Sequence, residues 1–149
     1  MTGPFHFRLD VVQRLRKLEL EREQRAMAVC VNAVLEARQL AELVTERMEE
    51  NQRDKRAAQR HHRPDVAALR AEQWHLLWLQ RKQEETKQEL ARRQDLLDAQ
   101  RQKLIAASRR VKVIEKLRDR QWKRYQDEQR RAERKEQDEF TLLRGSVPF

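Results

Sequence analysis

The chain has 149 residues, of which 40% are charged and 5% aromatic, and it carries a formal net charge of +9. So charged a composition, dominated by helix formers, leaves too little apolar material for a three-dimensional core, so burial is limited to a seam. A membrane-spanning helix is excluded, because the longest apolar run, Ala26 to Val31, falls far short of the roughly 20 residues a bilayer requires. A disulfide scaffold is excluded too, since Cys30 has no partner within the chain.

The opening residues lack the apolar stretch of a signal peptide, which predicts a soluble cytoplasmic protein. Residues 5 to 63 contain neither Gly nor Pro, and the same holds for residues 65 to 144. Gly costs a helix interior about 1 kcal/mol relative to Ala, and Pro about 3. Both stretches therefore read as uninterrupted helix, roughly 90 Å and 120 Å long at 1.5 Å per residue. Rods of that length must pair lengthwise. The predicted fold is all-α, a single domain over residues 1–149 built as a long two-helix antiparallel coiled-coil hairpin. Its first helix runs over about 7–62, the bend over about 63–66 and the second helix over about 66–143.

In the first rod the apolar positions run Val11, Leu15, Leu18, then Arg22, Ala26, Val29, then Ala33, Ala37, Leu40, then Val44, Met48, Asn51. Steps of 4, 3 and 4 give an eleven-residue period, which favours a nearly straight path. Small residues at Ala26, Ala33 and Ala37 predict close approach of the helices. At the breaker, Pro64 pushes Arg63 out of the helical region. Asp65 follows it, where an acidic residue suits the dipole of a new helix.

The second rod shows a seven-residue series, Leu69, Leu76, Gln83, Leu90, Leu97, Leu104, Val111, Arg118, Tyr125 and Ala132. Such a repeat imposes a left-handed supercoil. The complementary series reads Gln73, Gln80, Lys87, Gln94, Arg101, Ser108, Glu115 and Trp122, so half the predicted interface is polar. Two unequal periods predict an irregular pair. With Pro64 at the apex, the first rod runs out opposite about residue 124. Residues 125 to 144 then project as a lone helix, which is marginal in water and suited to docking into a partner.

Three features ask for a partner. Residues 101 to 124 carry ten Lys or Arg against Glu115 and Asp119, a net +8; this is either a solvated surface or a docking face for something acidic. Trp74, Leu77 and Trp78 lie off the seam, where they either widen it near the apex or form an exposed anchor patch. Trp122 and Tyr125, near the end of the paired region, either cap the coil or meet a partner.

Catalytic chemistry is missing from the sequence. Two glycines, one near each end, cannot build a phosphate cradle. His6, His61, His62 and His75 stand without cysteines or carboxylates at metal-ligand spacing. Carboxylate pairs such as Glu49 with Glu50, or Glu84 with Glu85, have no pocket to raise a pKa. No enzyme activity, cofactor or metal is predicted.

The opening Phe5-His6-Phe7-Arg8-Leu9-Asp10-Val11-Val12, with Leu15 after it, resembles the N-terminus of the FliJ family of flagellar export proteins. The tail Arg130-Arg131-Ala132-Glu133-Arg134-Lys135-Glu136-Gln137-Asp138-Glu139-Phe140 is similar to that family's closing Glu-x-Lys-x-x-Asp-Glu segment. The resemblance implies an antiparallel coiled coil like the central stalk of rotary ATP synthases. It implies a cytoplasmic role in the flagellar type III export apparatus, at the inner face of the cell membrane at the flagellar base. Implied partners are the export ATPase hexamer, which the stalk would enter and stimulate, the membrane export gate protein, and export chaperones. By position, Glu133, Lys135, Asp138 and Glu139 would serve the ATPase end. Trp122, Tyr125 and the basic residues Arg109, Arg110 and Lys112 would join them if the ring interior is acidic, and Trp74, Leu77 and Trp78 would meet the gate. No nucleic-acid partner and no direct membrane insertion are expected. The competing readings are an injectisome stalk, a basic coiled coil that binds nucleic acid, and a parallel homodimeric scaffold.

Overall fold

The computed structural model describes residues 3–61 and 65–146. These form two helices, α1 (Asp10–His61, 52 residues) and α2 (Val66–Gly145, 80 residues), with no strand among the described residues. The helices pack against each other as an antiparallel hairpin. Polar contacts fix the direction: Arg93 reaches the carbonyl of Ala33, whereas Gln100, further along α2, reaches that of Glu23, earlier in α1. The predicted turn at Arg63 and Pro64 lies outside the described residues.

Local chemistry sets the ends. The Asp10 amide donates to the Phe7 carbonyl at 3.1 Å, and the Asp10 carboxylate pairs with Arg14 at 2.9 Å across the first turn. An acidic residue there complements the positive end of the helix dipole. At the start of α2, Asp65 acts as N-cap: its carboxylate accepts the Ala67 amide at 3.4 Å and its carbonyl accepts that of Leu69 at 3.0 Å.

Two compact units divide the chain, Arg22–Leu104 and Met1–Glu21 with Ile105–Phe149. In the first, α2 buries or half-buries Leu76, Leu79, Gln83, Thr86, Leu90, Arg93, Leu97 and Gln100. The facing α1 positions are Glu23, Met27, Cys30, Val34, Ala37, Ala41, Val44, Met48 and Asn51. In the second unit, Ala107, Val111, Ile114, Gln121 and Tyr125 of α2 line the seam with Leu9, Gln13, Arg16 and Leu20.

Apart from one step of seven between Ile114 and Gln121, both sets step by threes and fours, which is a heptad. The eleven-residue period expected for α1 is therefore wrong. Val11 is 75% exposed, and Leu15, Leu18, Val29 and Leu40 are exposed as well. A helix paired with a seven-residue stripe stays in contact only through positions of its own that average 3.5 apart. In α1 those positions include Gln13, Arg16 and Glu23, which hid the true series behind apolar neighbours. The α2 expectation was half right. The series through Leu76, Leu90, Leu97, Leu104 and Val111 lies inward, but Leu69 and Arg118 are exposed. Its companion sits one residue earlier than expected, at Leu79, Thr86, Arg93, Gln100, Ala107 and Ile114. That row supplies apolar groups at Leu79, Ala107 and Ile114 and cross-helix hydrogen bonds at Arg93 and Gln100, whereas Gln80, Lys87 and Arg101 are exposed.

Several polar members of the seam are hydrogen-bonded. The Thr86 hydroxyl donates to the Gln83 carbonyl at 2.9 Å, and Gln100 donates to the backbone carbonyl of Glu23 and to its carboxylate. Arg93 donates to the Ala33 carbonyl at 2.8 Å and to Glu89 at 2.8 Å. Among the described residues no buried side-chain polar atom lacks a partner. Such layers hold a register, because sliding either helix would leave buried donors unmatched.

Candidate functional site

Within the unit formed by residues 3–21 and 105–146, the segment ahead of α1 folds onto α2. The Phe5 ring meets Trp122 edge-on at 5.0 Å between centroids and Tyr125 at 5.4 Å, and Trp122 stacks on Tyr125 at 5.6 Å. The Tyr125 hydroxyl donates to the Gly3 carbonyl at 2.8 Å and accepts from the Gln129 amide at 2.7 Å. Phe7, two residues after Phe5, is buried. Trp122 and Tyr125 thus form an aromatic cap with Phe5, in which Trp122 keeps 42% of its surface exposed. Replacing Phe5 with Ala is expected to lower stability by about 1 kcal/mol through the lost ring contacts and to shift Trp122 emission to the red. Unchanged emission would mean the ring is not covered in solution.

Past this cap the helix is bare. Every residue from Glu133 to Ser146 is exposed, and nothing from residues 3–21 covers it. Lys135, Asp138 and Glu139 share one side, being three and four residues apart, whereas Glu133 points elsewhere. Towards the end stand Phe140, Leu142 and Leu143, all exposed, with the Arg144 guanidinium 5.2 Å from the Phe140 ring.

Arg109, Arg110 and Lys112 are exposed. Arg109 and Lys112 lie on the outer face opposite the seam, and Arg110 is turned about 100° from Arg109. Among the described residues none of the three has an ion-pair partner.

The unit Arg22–Leu104 carries a different surface. An open groove of about 590 Å³ runs beside the seam, lined by Leu40, Leu43, Trp78 and Leu79 and bordered by Arg47 and Lys82. Trp78 stacks on His75 at 6.1 Å and has the Lys82 ammonium 5.8 Å from its ring centre. Trp74 and Leu77 are exposed at 73% and 57% and do not widen the seam. Two of the groove's cations are paired locally: Lys82 with Glu85, and Arg93 with Glu89 and Glu36. Hydrogen bonds from Arg92 and Arg93 hold the Glu89 carboxyl below its ordinary value. A lowered carboxyl contributes above its unfolded pKa and loses that contribution as acid protonates it.

Neither unit contains, among the described residues, a group of three or more His, Cys, Asp or Glu able to hold a metal ion. No described helix is long and apolar enough to cross a membrane. A family model described as "Flagellar FliJ protein" matches residues 5–147, nearly the whole chain. The chain belongs to the FliJ family. FliJ membership makes it a component of the flagellar export apparatus. No curated protein and no solved structure matches it.

For this FliJ chain, the structure gathers Trp122 and Tyr125 into one cluster at the root of the segment carrying Glu133, Lys135, Asp138 and Glu139. Trp78 joins a groove that Trp74 and Leu77 do not line. Sequence reading missed Phe5 as the partner of Trp122 and missed Leu40 and Leu43 as groove residues. The second was findable: once α1 is read in heptads, Leu40 and Leu43 flank the seam instead of filling it.

Proposed function

We propose that this FliJ chain is a non-enzymatic stalk of the flagellar export apparatus, a single coiled-coil domain whose bare end engages the export ATPase hexamer. The observation carrying this reading is the exposed run from Glu133 to Ser146 beyond the aromatic cap. A lone helix of this length is marginal in water, and docking would supply what it lacks. Glu133, Lys135, Asp138 and Glu139 contribute polar contacts, and Phe140, Leu142 and Leu143 give the tip apolar anchors. Arg109, Arg110 and Lys112 steer that end toward an acidic ring interior. A single shaft cannot meet six subunits equivalently, so its contacts favour particular subunit conformations and raise turnover. At the other surface, Trp74, Leu77 and Trp78 meet the membrane export gate, and emptied export chaperones bind the same hairpin. Both partnerships place the stalk in the cytoplasm at the inner face of the membrane.

The test is hydrolysis by the cognate export ATPase with and without the full chain. Stimulation and co-elution are expected, and a chain ending at Gln129 should lose at least nine-tenths of the stimulation while keeping its helical signal. Equal stimulation by the shortened chain would defeat the assignment of the tail. Reversing charge at Arg109, Arg110 and Lys112 should weaken activation in low salt, an effect that screening erases at high salt; an unaltered salt response would remove these residues from the contact.

A further inference from the structure

Beyond the ATPase end, α2 carries a longer basic surface of which the stalk reading uses only Arg109 and Lys112. Arg109, Lys112, Lys116, Arg120 and Lys123 follow one another by three, four, four and three residues. That spacing aligns them on one outer stripe about 21 Å long, on the side away from the seam. All five are exposed, and among the described residues none has an ion-pair partner. Between residues 81 and 101 of α2, by contrast, Arg81, Lys82, Arg92 and Arg93 are held by neighbouring glutamates and Arg101 by Asp98, with Lys87 the exception. Ile105 continues the stripe one turn earlier, and Val113 flanks it at 66% exposure.

We propose that this ridge is a docking surface for an anionic lipid bilayer. Charge complementarity gives the sign of the occupant, and shape gives its kind. A convex row of cations has no concave site to seat an acidic side chain, but it meets a plane of anionic headgroups along its whole length. Three of the five are lysines, flexible point charges suited to mobile phosphates; planar paired recognition of carboxylates is the strength of arginine. Val113 and Ile105 are placed to enter the headgroup boundary, as apolar residues of surface-bound basic helices do. Each cation near such a leaflet raises partition by on the order of fivefold, and five together suffice for reversible binding.

The experiment is flotation of the full chain with vesicles, where no ATPase is present to confuse the two contacts. Vesicles of phosphatidylcholine and phosphatidylglycerol in equal parts should carry the protein, and vesicles of phosphatidylcholine alone should not. The triple variant Lys116→Gln, Arg120→Gln, Lys123→Gln should lose at least tenfold in partition. A control removing the same charge from α1, Arg14→Gln, Arg22→Gln, Arg25→Gln, should keep it. Failure to float with anionic vesicles, or equal loss in both triples, would overturn the proposal. So would tighter capture by duplex DNA or polyglutamate that depends on the same three residues, since the ridge would then serve a different polyanion.

Discussion

Leu79→Ala is expected to destabilise the protein by about 3 kcal/mol, within the range for emptying a buried leucine site. Leu79 is only 1% exposed, and it fills the wall between Val44, Ala37 and the groove under Trp78. Full burial of such a side chain is worth about 1.5–3 kcal/mol, and the cavity left behind adds to the loss because flanking helices collapse only in part. The neighbour provides the control. Gln80 is exposed, although the companion series first read from α2 ran through it, so Gln80→Ala should change stability by less than about 0.5 kcal/mol. Urea unfolding followed by circular dichroism measures both. Comparable losses at the two positions would mean that the seam does not run where the structure puts it.

Ile114→Asp should cost more still, about 4 kcal/mol. Ile114 is 9% exposed in the seam formed with residues 3–21. A charge placed there has to be taken out of water into an apolar seam, which is among the most damaging of single changes. Val113→Asp puts the same charge one residue away at a site 66% exposed and should be nearly neutral. Thermal unfolding of the pair reads the register of this unit independently of the Leu79 measurement. A neutral Ile114→Asp would place the Ile114 side chain in water.

Much of the fold was legible because helix breakers are expensive wherever they fall. With Gly and Pro confined to the ends and to Pro64, two long helices were the one economical reading, and their antiparallel pairing follows from burying a stripe on each. The seven-residue stripe of α2 was readable because leucine and valine repeat on it without rivals. In α1 the apolar residues outnumber the seam, so Val11, Leu15 and Leu18 suggested a period the pair does not use. The candidate surfaces were partly legible. An exposed tryptophan pair, a basic run and an overhanging end are compositional facts. The cap of Phe5 on Trp122 and Tyr125 joins residues more than a hundred positions apart and leaves no periodic trace.

The sequence by itself determined that this chain is helical, that its burial is a seam and that its surface is strongly basic, since these depend on propensity, apolar content and charge, which each residue carries alone. Which face of α1 became the seam, which aromatic rings came together and which cations went without partners were decided only in the tertiary structure. The reason is that a seam is a property of two surfaces: Arg16 and Glu23 lie inward, and Leu15 and Leu18 outward, because of what α2 presents to them and not because of their own hydropathy.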